Sequence, residues 1–255
     1  MRTDEIIIRL FCMVDDTLGP VKRHPQAILH PSEVITIGLL LALKGISYRA
    51  FYRWLAANYA PLFGRLPEQS RMYRLLVNAQ PQTDRFLADP TVLGIIDSIG
   101  IELIHPWREG RSQTALGRKG ISNHRWIVGI KLAWLINQRG AVVDWQWLPA
   151  NVSDQDFRDV VDWQDEQMIG LADQGFRLRA GADDGVPIKI CQRGTWNERF
   201  LIETTFSLLA RVFHAKQLTH RTQRGIDMRL GFLAACFNCL LRITHGKLSF
   251  LDFVI

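Results

Sequence analysis

Apolar and polar residues follow two different periods along this chain, and the change comes near residue 90. Before it, apolar positions recur every three to four residues, the spacing of a helix face. Thr3 is placed to cap a helix that opens with Asp4 and Glu5, buries Ile6, Ile7, Leu10, Phe11 and Val14, and stops at Gly19. Pro31-Ser32-Glu33 starts a second helix that ends at Gly45. Ser47 then caps a third, carrying Tyr48, Phe51, Tyr52, Trp54 and Leu55. The tight turn at Gly45 makes the last two a helix-turn-helix candidate, with Arg49 and Arg53 on the later helix, although a plain helical hairpin gives the same pattern.

From Thr91 short apolar runs replace the helical spacing. Val92 to Ile96 reads as a buried strand ending at Asp97. Trp126 to Ile136 and Ala141 to Leu148 read as two strands joined by a hairpin turn at Arg139-Gly140. A helix is expected over Asp154 to Trp163, then a buried strand over Met168 to Ala172 ending at Asp173. Pro187 to Gln192 is a further strand, and a long helix begins near Trp196. A ribonuclease H-like fold has this order of elements. The expected class is therefore α/β, a ribonuclease H-like mixed sheet with flanking helices over 91–255, preceded by a small helical domain over 1–90. That Asp97 and Asp173 sit on neighbouring strands is an inference from that fold.

A carboxylate at the end of a buried strand is costly unless it is paired or binds a metal. Taken singly, Asp97 and Asp173 each have a simpler role, accepting hydrogen bonds from the turn that follows. Glu203 on the late helix changes the balance towards a metal site formed by Asp97, Asp173 and Glu203. Mg2+, with Mn2+ as its substitute, takes oxygen ligands, and a pair of such ions roughly 3.5–4 Å apart stabilises both the attacking and leaving oxygens of a phosphodiester. Glu198 has another role, because Thr195 and Glu198 have capping-box spacing. Five residues separate the two glutamates, which turns them about 140° apart on a helix. Glu203 shares its face with Ser207, Ala210 and His214.

Charge agrees with a polyanionic partner: the formal net charge is +6 and the pI about 9.4. Arg108, Arg111, Arg118, Lys119 and Arg125 meet only Glu109 in their stretch, and Arg199, Lys216 and Arg221 lie in a second basic stretch around the late helix. Beside a carboxylate cluster, such segments suit the phosphate backbone. Arg199, four residues before Glu203, is read as a phosphate contact in preference to an i,i+4 partner. Trp107, Trp126 and Trp196 are read first as core residues, and second as platforms for an unpaired base. The apolar run Val34 to Leu43 is too short to span a bilayer, so no membrane role is expected. Acidic residues at the amino terminus, where an export signal is basic, point to a cytoplasmic protein. Cys236 and Cys239 lie in an apolar helical run and are read as buried structural thiols.

The segments IIDSIGIELIHPWREGRS, GRKGISNHRWIVGIKL, NVSDQDF, LADQGF and KICQRGTWNERFLIETTFSLL, in that order, resemble bacterial insertion-sequence transposases of the DDE class, closest to the insertion sequence 982 family. FCMVDDTLGP and SEVITIGLLLALKGISYRAFYRWL extend the resemblance over nearly the whole chain. The resemblance implies a magnesium-dependent catalytic domain, binding to terminal inverted repeats and strand transfer to target DNA by a free 3′ hydroxyl. It assigns the family's three acids to Asp97, Asp173 and Glu203. Two element ends must be handled together, so a homo-oligomer on DNA is expected. Two other readings stay open on the residues alone: a nuclease of the same fold that never joins DNA, and an element-derived DNA-binding protein without catalysis.

Overall fold

The computed structural model describes residues 1–110, 116–122, 125–164, 168–178, 185–191, 199–253 and 255. In chain order come four helices, α1 (Thr3–Leu18), α2 (Pro31–Lys44), α3 (Tyr48–Asn58) and α4 (Gln69–Ala79). Four strands follow, β1 (Leu93–Ile104), β2 (Arg118–Ser122), β3 (Arg125–Asn137) and β4 (Val142–Pro149). The rest of the chain carries α5 (Asp159–Asp162), β5 (Ile169–Ala172), β6 (Ile188–Ile190), α6 (Arg199–Arg211) and α7 (Gln223–Ile243). They make two compact units, neither of them a continuous stretch of chain. A helical unit joins Met1–Phe86 to Arg211–His214 and Thr222–Ile255; a sheet unit joins Leu87–Ala210 to Ala215–Arg221.

In the helical unit, α1 buries Ile6, Ile7, Leu10, Val14 and Leu18, the expected stripe, with Phe11 half-buried. Its cap is Arg2, one residue before Thr3, because the Glu5 carboxylate closes back onto the Arg2 amide at 3.3 Å. Gly19 ends it as expected. α2 is buried from Val34 to Leu43. At Gly38 the ring of Phe232 from α7 occupies the space a Cβ would fill, so the two helix backbones approach as only glycine allows. α7 also brings in Arg229, 2% exposed, which donates to the Leu41 carbonyl in the last turn of α2 and to the Phe213 carbonyl. Burial pushes its guanidinium down to about 10, which leaves it a cation at neutral pH. Asn238 donates to the Phe86 carbonyl at 2.9 Å. Thus α7, from the 91–255 part of the chain, belongs by packing with α1–α4. Cys236 and Cys239 are buried within it, with free thiols. No single helix among the described residues is long and apolar enough to cross a membrane.

The sheet unit is a mixed sheet in the order β2-β3-β1-β5-β6, with β4 also on β3. β2 and β4 share one edge of β3 end to end, β2 on Arg125–Gly129 and β4 on Ile130–Ile136. β1–β4 pair antiparallel, whereas β5 runs parallel to β1 and β6 parallel to β5. One face packs Ile96, Leu135 and Met168 against Phe157, Val160 and Phe176.

Three expectations change. β1 does not end at Asp97 but runs to Ile104, because its ladder with β3 continues from Asp97↔Trp134 to Ile104↔Val128, burying Ile101 on the way. β2 lies in a stretch read only as basic. The helix expected over Asp154 to Trp163 is a 3₁₀ turn, Asp154–Phe157, followed by the single turn α5. Arg158 sits at the break, buried, donating to the Phe176 carbonyl at 3.0 Å.

Candidate functional site

The parallel pairing of β1 with β5 sets the two aspartates. Ile95 is opposite Leu171. Carried two residues further along both extended strands, that register puts Asp97 beside Asp173, with both on the face opposite Ile96 and Ala172. Both are half-buried. The Ser98 amide donates to Asp97 Oδ1 at 2.7 Å. Asp173 directly follows β5 and caps the next 3₁₀ turn, accepting from the Gly175 amide at 2.8 Å. Asp173 thus makes the turn bond that its simpler reading asks for, whereas Asp97 accepts from the next amide inside a strand that continues, with no turn after it.

α6 covers this same face. Its Phe206 ring lies 6.4 Å from the ring of Trp134, the residue opposite Asp97, and Leu201 lies against Gly140 at the β3–β4 turn. Glu203 falls between these contacts along the helix. α6 buries Ile202, Thr205, Phe206, Leu208 and Leu209, while Phe200, Glu203, Thr204 and Ser207 make its exposed side. Phe200, 66% exposed, was not singled out in the sequence. Among the described residues, no three His, Cys, Asp or Glu side chains stand close enough to hold one metal ion. Asp97 and Asp173 offer the oxygen ligands that suit Mg2+; Glu203 is on the adjoining helix without closing the set. Thr195, Trp196 and Glu198, and the side chain of Arg199, lie outside the described residues.

A fourth carboxylate was missed. Asp154 accepts from Ser98 Oγ at 2.7 Å and from Lys131 Nζ at 3.0 Å, while Lys131 also reaches the Val152 carbonyl at 2.9 Å. A Cβ on Gly175 would stand 2.8 Å from Asp154 Oδ2 and 3.0 Å from Asp173 Oδ1. Asp154 therefore links β1, β3 and the turn that carries Asp173. The signal in the sequence was NVSDQDF, where the acid follows the Ser153 cap, but spacing alone does not say which strand it meets.

Basic residues gather around the far half of β1. Arg108, Arg118, Lys119, Arg125, Lys216 and Arg221 are all exposed. Arg125 pairs with Glu102 at 3.1 Å and Lys119 approaches Glu109 at 3.9 Å. The Glu102 amide donates to the Lys216 carbonyl at 2.9 Å, and the Leu218 amide donates to the Glu102 carbonyl at 2.9 Å. Two basic segments far apart in the sequence thus meet at one residue of β1. Arg111 lies outside the described residues. The core reading of two tryptophans is corrected: Trp107 is 86% exposed and Trp126 is 55% exposed. Trp126 stands at the start of β3, beside Lys119, whose Nζ lies 5.2 Å from the ring centre. In the helical unit, α2 and α3 meet at 116° across Gly45-Ile46-Ser47, within the range of helix-turn-helix pairs, and Arg49 and Arg53 are exposed on α3.

No protein-family model matches the chain, and no curated protein matches it.

Proposed function

We propose that this chain is a DNA transposase of the DDE class, resembling the insertion sequence 982 family, with Asp97, Asp173 and Glu203 as its catalytic acids. The observation that carries the reading is the parallel β1–β5 register, Ile95 opposite Leu171, which supports Asp97 and Asp173 as neighbours when it is continued by two residues; α6, the helix of Glu203, packs on the face of Trp134. A ribonuclease H-like identity for the sheet is supported by its order: an antiparallel trio β4-β3-β1 continued by parallel β5 and β6, then a covering helix. Asp97 and Asp173 would hold Mg2+ or Mn2+, and Glu203 would turn towards them from its exposed position to complete the set. When bound, such ions stabilise charge on the attacking and leaving oxygens of a phosphodiester. The amides of Ser98 and Gly175 each hold one oxygen of an aspartate, fixing the carboxylates before any ion arrives.

The exposed Arg118, Lys119, Arg125 and Lys216 are suited to grip the DNA backbone, and Trp126 and Trp107 to stack on an unpaired base. Arg49 and Arg53 on α3 suit recognition of the element's terminal repeats. The protein works in the cytoplasm, as a homo-oligomer on DNA. The test is purified protein given a labelled terminal repeat, a target plasmid and Mg2+. Joined products are expected, lost in chelator and in Glu203→Gln. Cleavage without joining would make it a nuclease, and binding alone would make it a DNA-binding protein; either outcome overturns the reading.

A further inference from the structure

We propose that the groove between α1 and the end of α7 seats α1 of a second copy of this chain, antiparallel and about a two-fold axis. The groove is open and about 560 Å3 in volume, with Ile8, Met13 and Ile243 among its apolar lining. Ile8 is 52% exposed, on the side of α1 opposite its buried stripe. Arg9 and Arg242 line the groove too, and so does Asp16. A helix that enters it must offer apolar side chains to the floor and both signs of charge to the rim.

α1 itself meets that requirement. Its acids Asp15 and Asp16 stand in the last turn, which contains no basic residue, where the helix carbonyls already make a negative end. That placement costs the isolated helix stability, and an external cation would offset it. Asp15 accepts from the Ser32 hydroxyl at 2.6 Å, whereas Asp16 is exposed at the groove. Arg9 precedes Asp16 by seven residues, close to two full turns, so the two share one side of the helix. Two α1 helices laid antiparallel, centred between Cys12 and Met13, set Arg9 against the partner's Asp16 twice over. Ile8 then meets the partner's Thr17, and Cys12 meets the partner's Met13. A parallel arrangement sets Arg9 against Arg9 and Asp16 against Asp16, so charge selects the antiparallel one. The contact is self-complementary, as a two-fold interface must be. α1 has 16 residues, about 24 Å of helix. That puts the contact at the small end of specific interfaces, so the dimer forms and dissociates with concentration. It requires neither DNA nor metal.

The test uses the full-length protein without DNA, in sedimentation velocity over a concentration series at low salt. Wild type is expected to self-associate. Arg9→Asp and Asp16→Arg are each expected to weaken association roughly tenfold or more, because each places like charges together twice. An equal mixture of these two variants is expected to regain it, since each supplies the charge the other needs, and so is the double variant. Cys12 is the exposed one of the free cysteines, so a short bifunctional maleimide reports on the centre of the contact. It should link wild type and the mixture, but neither variant alone and not Cys12→Ser. Should a charge reversal fail to fold, Arg9→Gln and Asp16→Asn are each expected to weaken association, with partial recovery on mixing, because the mixed pair keeps one of the two Arg9–Asp16 contacts. A wild type that stays monomeric, single variants that associate as wild type does, or a mixture that fails to recover would each overturn the proposal. An unrelated protein or peptide in the groove would give the first of these results.

Discussion

Gly175 stands where two carboxylates leave no room for a methyl group, one of them belonging to Asp173. Gly175→Ala is therefore expected to shift Asp173 or Asp154 by some tenths of an ångström. If Asp173 is catalytic, strand joining should fall at least tenfold with the melting temperature nearly unchanged. Asp97→Asn and Asp173→Asn should abolish joining outright in a folded protein. Circular dichroism melts beside the joining assay check all three, and a fully active Gly175→Ala would mean that the turn has no part in the chemistry. The thiols of α7 give a second expectation at this scale. Burial pushes the Cys239 thiol up to about 12 and Cys236 well above its ordinary value. A raised folded value for an acid means the folded protein keeps a proton that the unfolded chain releases, so stability falls as pH climbs from the ordinary value of 9.0 towards 12. Replacing both cysteines by alanine should flatten that fall, read as melting temperature against pH above 9. At pH 8, a thiol reagent should modify Cys12 alone in the folded protein.

The hairpin of β2 and β3 carries its charge and its aromatic surface together. Trp126→Ala is expected to weaken binding to single-stranded DNA by about 1–3 kcal/mol, the usual effect of losing one stacked base. Arg118→Ala with Lys119→Ala should weaken binding on every sequence and flatten the dependence on salt by about 0.9 for each phosphate no longer neutralised. Filter binding over a salt series separates the two effects. Elements with their own punctuation were legible in the sequence: Gly19 and Gly45 end α1 and α2, and Gly140 turns β3 into β4. β2 was not, because its Lys119-Gly120-Ile121 pattern becomes a strand only by pairing with β3. Nor was the second half of β1, which is a strand only because its pairing with β3 runs on past Asp97 through Ser98 and Gly100. Of the site, the two aspartates were legible as acids after apolar runs. Asp154 was not, since its role depends on Ser98 and Lys131, which folding alone brings to it.

At the scale of the whole molecule, α7 closes a unit that the chain began some two hundred residues earlier. A fragment of residues 1–90 would leave bare the Gly38 surface that Phe232 covers, and the carbonyls of Leu41 and Phe86 that Arg229 and Asn238 satisfy. Made alone, that fragment is expected to melt without cooperativity, whereas 1–90 joined by a flexible linker to 222–255 should melt in one transition. A sharp melt for 1–90 alone would show that α7 is dispensable. During synthesis the consequence is one of timing. The apolar run of α2 leaves the ribosome early and waits, unpartnered, until the residues after 222 follow it, so the nascent chain is a natural client for chaperones. A messenger cut short anywhere before that point yields no finished helical unit.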